Sequence, residues 1–298
     1  MQNSTCPFTP GNEALYQQWR EQKLMGYPTE LSDLLVEIND PHQISKAEHD
    51  AILQICRKTN MALYASNSGD DPDKDIPLAV GRSFGLQQLN SNWLADDEGV
   101  TSLTVAETGT HQEYIPYSNR PIQWHTDGYY NTADKQIHGL LLHCVRPASS
   151  GGENALLDHE IAYILLRDKN PAYIPALMAN DVMTIPARMQ GDKVARAEET
   201  GAVFSINPAT GNLHMRYTVR QKHIIWKQDP LTLEALAYLT EILNSDSPYI
   251  FRGTVQSGMG LVCNNVLHDR AGFEDDEDKP RLLYRARYFD RIAGCSVT

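Results

Sequence analysis

The sequence predicts a mainly β fold with flanking helices, a β-sandwich or jelly roll, and three observations predict it. Short runs rich in β-branched, aromatic and leucine residues recur from about residue 100, at 102–106, 137–145, 202–206, 213–219, 260–266 and 282–289. Turn material separates them, at 147–154 (PASSGGEN), 207–212 (NPATGN) and 274–280 (EDDEDKP). Strands and helices do not alternate regularly, which argues against a doubly wound sheet.

The elements follow in order. Residues 13–25 are polar with spaced apolar positions and read as a helix. Ser45 and Glu48 stand at capping-box spacing, and Ala51, Ile52, Ile55 and Cys56 then recur at helical spacing. Residues 67–75 (NSGDDPDKD) read as a loop. Two further helices interrupt the β-like series. In 158–167 Asp158 is placed to cap; in 229–244 Asp229 can cap and Pro230 takes the first helical position. We read 1–298 as a single domain. Residues 1–95 form a largely helical N-terminal layer, and 96–298 form the β core with a helical insert near 158–245.

Composition narrows the function. With 41% hydrophobic residues in 298, the chain can bury a large core. Lys and Arg number 26 against 38 Asp and Glu, a formal net charge of −12, so a nucleic-acid partner is not expected. The longest apolar runs fall far short of the roughly 18 residues a membrane span needs. The start (MQNSTCPFTPGNE) has no basic segment followed by an apolar one, so no signal peptide is expected. The five cysteines are odd in number and widely spaced without a CxxC, which fits a reduced, cytoplasmic protein.

The sharpest local feature is Trp124-His125-Thr126-Asp127-Gly128. In extended backbone, residues i and i+2 share a face, so His125 and Asp127 aim an imidazole and a carboxylate at one point. A third ligand, a histidine from elsewhere, would complete the 2-His-1-carboxylate facial site typical of non-haem Fe(II) oxygenases. Alone, the pattern is weak and fits a hydrogen-bonded loop pair better. Support comes from residues 262–270, a strand-like run that carries His268 and is followed by an acidic turn and then Arg281-Leu282-Leu283-Tyr284-Arg285.

These segments resemble the taurine dioxygenase (TauD/TfdA-like) family of Fe(II)/2-oxoglutarate-dependent oxygenases. Three stretches in order carry the resemblance: WHTDG; residues 147–154 leading to Leu157-Asp158; and residues 264–273 followed by Arg281 and Arg285. The resemblance implies a double-stranded β-helix (jelly-roll) core, Fe(II) held by His125, Asp127 and His268, and 2-oxoglutarate held by Arg281. A guanidinium fork suits the distal carboxylate of such a cosubstrate. Asn154 stands where the family has Thr, and its amide can donate to the same carboxylate. Asn264 replaces the family's Asp, while the intact Asp127 argues against halogenation.

For Arg285, the resemblance implies contact with an acidic group of the substrate; the alternative is pairing with the acidic run 274–278. Trp124, Tyr129, Tyr130 and Asn265 lie beside the motifs and are expected either to line a substrate pocket or to pack. His138 and His143 read as core or hydrogen-bonded residues, and the other histidines as structural. The expected activity is a dioxygenase that consumes 2-oxoglutarate and O₂, releases succinate and CO₂, and hydroxylates a small molecule with an anionic group. Desaturation or C–X cleavage is the near alternative. A zinc hydrolase and a non-catalytic acid-binding jelly roll are the alternatives of other classes. The resemblance also implies a homo-oligomer.

Overall fold

The computed structural model describes residues 6–90, 99–106, 115–191, 193–220, 224–276 and 278–296. Two β-sheets dominate it. The larger runs in the order Leu35–Ile38, Met61–Ser66, Met259–Cys263, Gly139–Arg146, Leu282–Tyr288, Val100–Leu103. Its first two strands are parallel and every other neighbouring pair is antiparallel. The smaller is antiparallel throughout, in the order Phe251–Gly253, Asn154–Leu157, Leu267–Arg270, Ile122–His125.

Alternation along the strands shows how the layers stack. Leu140 joins the hydrophobic cluster between the sheets, whereas Leu141 joins a second cluster under the helices Lys46–Thr59 and Asp75–Ser83. Leu261 and Val262 divide in the same way. Successive side chains of a strand point to opposite faces, so one strand feeds both layers. The helices His159–Lys169, Tyr173–Leu177 and Pro230–Leu243 pack on one another.

The helix ends follow their local chemistry. Ser45 accepts the Glu48 N–H and Glu48 returns the bond, and the helix closes on Asn60 in a left-handed conformation at φ 60°. Asp158 caps His159–Lys169 by accepting the Glu160 N–H at 2.9 Å, and Asp229 accepts from Thr232 at 3.0 Å. Asp158 is fully buried. Lys23, from the helix Glu13–Leu24, meets it at 2.7 Å and Glu160 at 2.5 Å, which pins the N-terminal helix to the core.

The N-terminal layer carries the helices Glu13–Leu24, Lys46–Thr59 and Asp75–Ser83, and it also supplies two strands of the larger sheet. Met61–Tyr64 is buried without interruption, so it shows no alternation, and a short apolar run of that kind cannot be told from helix by periodicity. The run 213–219 yields less strand than expected: only Leu213–Met215 is strand, paired with Phe204–Ile206. All five cysteines are free and buried. Among the described residues no helix is long and apolar enough to cross a membrane.

Candidate metal centre

His125 ends one strand of the smaller sheet, and His268 sits directly opposite on its antiparallel neighbour. That register brings the two rings to 4.3 Å between centroids. Asp127 lies two residues on, at the start of a turn that Gly128 makes possible. Gly128 has φ +67°, and a Cβ there would stand 2.4 Å from Ile137 Cγ1. One ligand atom from each of His125, Asp127 and His268 lies within 4.8 Å of the others. Among the described residues no other cluster of three such groups occurs.

Hydrogen bonding sets both imidazoles for the same task. The Nδ1 of His125 lies 2.9 Å from the Gln123 carbonyl and the Nδ1 of His268 lies 2.9 Å from the Val266 carbonyl. A carbonyl only accepts, so Nδ1 carries the proton and Nε2 keeps its lone pair. His125 Nε2 stands 3.4 Å from Asp127 Oδ1, and the buried Asp127 Oδ2 has no hydrogen-bond partner. Burial would raise the Asp127 pKa, but Arg285, His125, Arg287 and His268 outweigh it and hold the carboxyl well below its ordinary range. Burial, reinforced by His125, pushes His268 down to about 4. A neutral imidazole and an ionised carboxylate are the forms that bind a metal. Two imidazoles and a carboxylate therefore fit an iron ion in donor type.

Asn265 holds this arrangement in place. At φ 52° it is one of two left-handed non-glycine residues among those described. Its side-chain oxygen accepts the Asp127 N–H at 2.8 Å, and its amide donates to the carbonyls of Asp127 and Ile137 at 2.9 and 2.7 Å. Both amide hydrogens are thereby committed. Asn265 positions Asp127 and has no donor left for a substrate, which corrects its expected place in the pocket.

Trp124 packs. It is buried in the hydrophobic core and borders a groove with Thr240 of the helix Pro230–Leu243 and Asn244 just past its end, whereas His125, next along the strand, faces the other side. Tyr129 and Tyr130 are in edge-to-face contact, with ring centroids 5.2 Å apart. Asn154 lines a narrow cavity between the sheets together with His268, Leu142 and Leu156. Its amide donates to the Asp269 carbonyl at 2.9 Å and retains a second hydrogen and its oxygen.

Arg281 is 4% exposed, and its guanidinium lies 4.9 Å over the Phe273 ring. The loop that approaches it needs glycine: Gly151 has φ +72°, and a Cβ there would meet the Gly272 carbonyl oxygen at 2.5 Å. The acidic run serves the backbone here, with Asp275 accepting the Arg281 N–H at 2.6 Å. Arg285 pairs with Asp127 Oδ2 at 3.4 Å and, among the described residues, not with that run. One residue was missed. Arg287 is buried on the same strand face and donates to the Tyr130 hydroxyl at 2.9 Å. The period of two put it on that face, but no motif singled it out.

A profile for a family described as taurine catabolism dioxygenase TauD, TfdA family matches residues 36–287. A uridine-5′-phosphate dioxygenase from Amycolatopsis sp is 29% identical over 275 residues, which cover 87% of this chain and 97% of that protein. Another of the same name from Streptomyces sp is 26% identical over 214 residues, covering 70% and 76%. The non-heme iron oxygenase OrfP, solved with Fe and alpha-ketoglutaric acid, superposes with a TM-score of 0.61 at 14% identity, covering 94% of this chain and 92% of that one. Asparagine oxygenase, solved with Fe(II), 2S,3S-3-hydroxyasparagine and succinate, gives 0.57 at 14%, covering 82% of each chain. At such identity the structural likeness is one of fold.

Proposed function

We infer that this chain, which belongs to the taurine catabolism dioxygenase TauD, TfdA family and is an Fe(II)- and 2-oxoglutarate-dependent oxygenase, holds its iron on His125, Asp127 and His268. The donor set carries the assignment: two imidazoles and a carboxylate offer ligand atoms that all lie within 4.8 Å of one another. Arg281 is the clamp for the distal carboxylate of 2-oxoglutarate, with Asn154 as a second donor beside His268. Bound iron and 2-oxoglutarate supply the oxidising power, using O₂ and releasing succinate and CO₂. The protein's share is to fix the ligands through Asn265, orient the cosubstrate through Arg281 and keep water out. The reaction is hydroxylation of a small molecule. Because two relatives are named for uridine 5′-phosphate, a nucleoside 5′-phosphate is the substrate class to test first. We also propose that the two facing sheets form a double-stranded β-helix and that 1–298 is one domain, a reading supported by the burial of Lys23 against Asp158 and Glu160.

The test is anaerobic addition of 2-oxoglutarate to the Fe(II) protein. A visible metal-to-ligand charge-transfer band is expected, and admitting O₂ with uridine 5′-phosphate should then yield succinate in step with oxidised nucleotide. Absence of the band rejects the assigned site. Succinate formed without nucleotide oxidation rejects the substrate class.

A further inference from the structure

The strand Leu282–Tyr288 carries Arg285 and Arg287 on one face, their Cα atoms about 7 Å apart by strand geometry. They stand opposite Leu142 and Leu140, so both enter the space between the sheets. Each has a donor to spare. Arg285 Nη1 lies 3.4 Å from Asp127 Oδ2 while its buried Nε has no partner. Arg287, 4% exposed, uses Nη1 on the Tyr130 hydroxyl at 2.9 Å while its buried Nη2 has none. Asp127 is the carboxylate that acts on both. In the reading above, the charge of Asp127 goes to the metal. Two guanidiniums are then left in a buried space without a counter-charge, which is strongly unfavourable unless an anion joins them.

From this we infer that Arg285 and Arg287, the latter steadied by Tyr130, form one subsite for a dianionic head group of the phosphate monoester class. Arg287 is the residue that selects a dianion over a monoanion. A guanidinium fork matches phosphate oxygens, and two forks two residues apart can share one tetrahedral group. A carboxylate or a phosphodiester brings one charge and leaves one guanidinium uncompensated. The inference rests on the proposed metal site and deepens the proposed substrate class by naming what reads it.

The experiment is equilibrium binding to the anaerobic protein loaded with Fe(II) and 2-oxoglutarate, at pH 8, where a phosphate monoester is a dianion (second pKa about 6). The probes are uridine 5′-phosphate, its monoanionic methyl ester and inorganic phosphate. The wild type should bind the monoester at least about tenfold more tightly than the methyl ester. Arg287→Gln should weaken monoester binding by roughly thirtyfold or more and methyl-ester binding far less, with the charge-transfer band unchanged. Arg287→Lys should recover part of the loss, since a point charge replaces a fork. If Arg287→Gln loses the band, Arg287→Lys decides: weaker monoester binding with the band intact supports the subsite, and an unchanged preference overturns it. An unchanged preference in Arg287→Gln overturns it directly, as does failure of both uridine 5′-phosphate and inorganic phosphate to bind. Inorganic phosphate binding that depends on Arg287, without binding of uridine 5′-phosphate, upholds the subsite and removes the nucleotide from the proposed function. A wild-type protein without the band overturns the metal site and this inference together.

Discussion

Asn265 grips the backbone of Asp127 at both ends, accepting its N–H at 2.8 Å and donating to its carbonyl at 2.9 Å. The carboxylate of Asp127 therefore points where a residue near His268 directs it. Groups that orient metal ligands typically contribute 10–100-fold in metal affinity or activity. Asn265→Ala should weaken Fe(II) binding by about that factor. Anaerobic Fe(II) titration measures it, and wild-type affinity would show that Asp127 is held by other means.

Each proposed ligand should be individually necessary. His125→Ala, Asp127→Ala and His268→Ala should each lose stoichiometric Fe(II) while keeping the wild-type far-ultraviolet spectrum, because two remaining ligands hold the ion poorly. Any variant that keeps one iron per chain and full turnover removes that residue from the site.

Arg281 should matter to the cosubstrate and not to the metal. Deleting one partner of a desolvated, hydrogen-bonded ion pair costs about 2–5 kcal/mol. Arg281→Ala should raise the apparent Kd for 2-oxoglutarate accordingly in the charge-transfer titration, with Fe(II) binding intact. Arg281→Lys should restore only part. Equal losses for iron and 2-oxoglutarate would instead mark a structural role.

His159 gives a pH dependence to the stability. It is 1% exposed, neither ring nitrogen has a hydrogen-bond partner, and burial pushes its pKa down from 6.5 to about 4. Between those values the unfolded chain binds a proton that the folded one refuses. Stability is thus full above pH 6.5, falls as the pH drops towards 4, and levels off below, a loss on the order of 3 kcal/mol. His143 and His268 are depressed to about 4 in the same way. Burial also holds His214 well below its ordinary value and lowers His138, so in the metal-free protein His159→Leu should reduce the slope of urea stability against pH by about a quarter. An unchanged slope would show that His159 is not the neutral buried group described.

Lys23 tests how firmly the N-terminal helix belongs to the core. Its Nζ lies between the buried carboxylates of Asp158 and Glu160. Removing one partner of such a buried network leaves charge uncompensated, at about 3–5 kcal/mol. Lys23→Met should lower urea stability by that amount in a single transition. A separate early transition confined to the first helix would contradict the proposed single domain.

The features legible in the sequence are those set by neighbours a few residues away. The capping box of Ser45 and Glu48 and the Asp229–Pro230 helix start depend on short-range hydrogen bonds, and the pairing of His125 with Asp127 was legible from their spacing of two. What only the tertiary structure decided is who stands across from whom. Met61–Ser66 is an inner strand because Met259–Cys263 lies beside it, a pairing that no local period announces. Arg285 meets Asp127 and Arg287 meets Tyr130, and Asn265 is used up on the Asp127 backbone; each contact spans more than 130 residues of chain. Such contacts depend on strand order and register, and a shift of one residue would turn every one of these side chains to the opposite face.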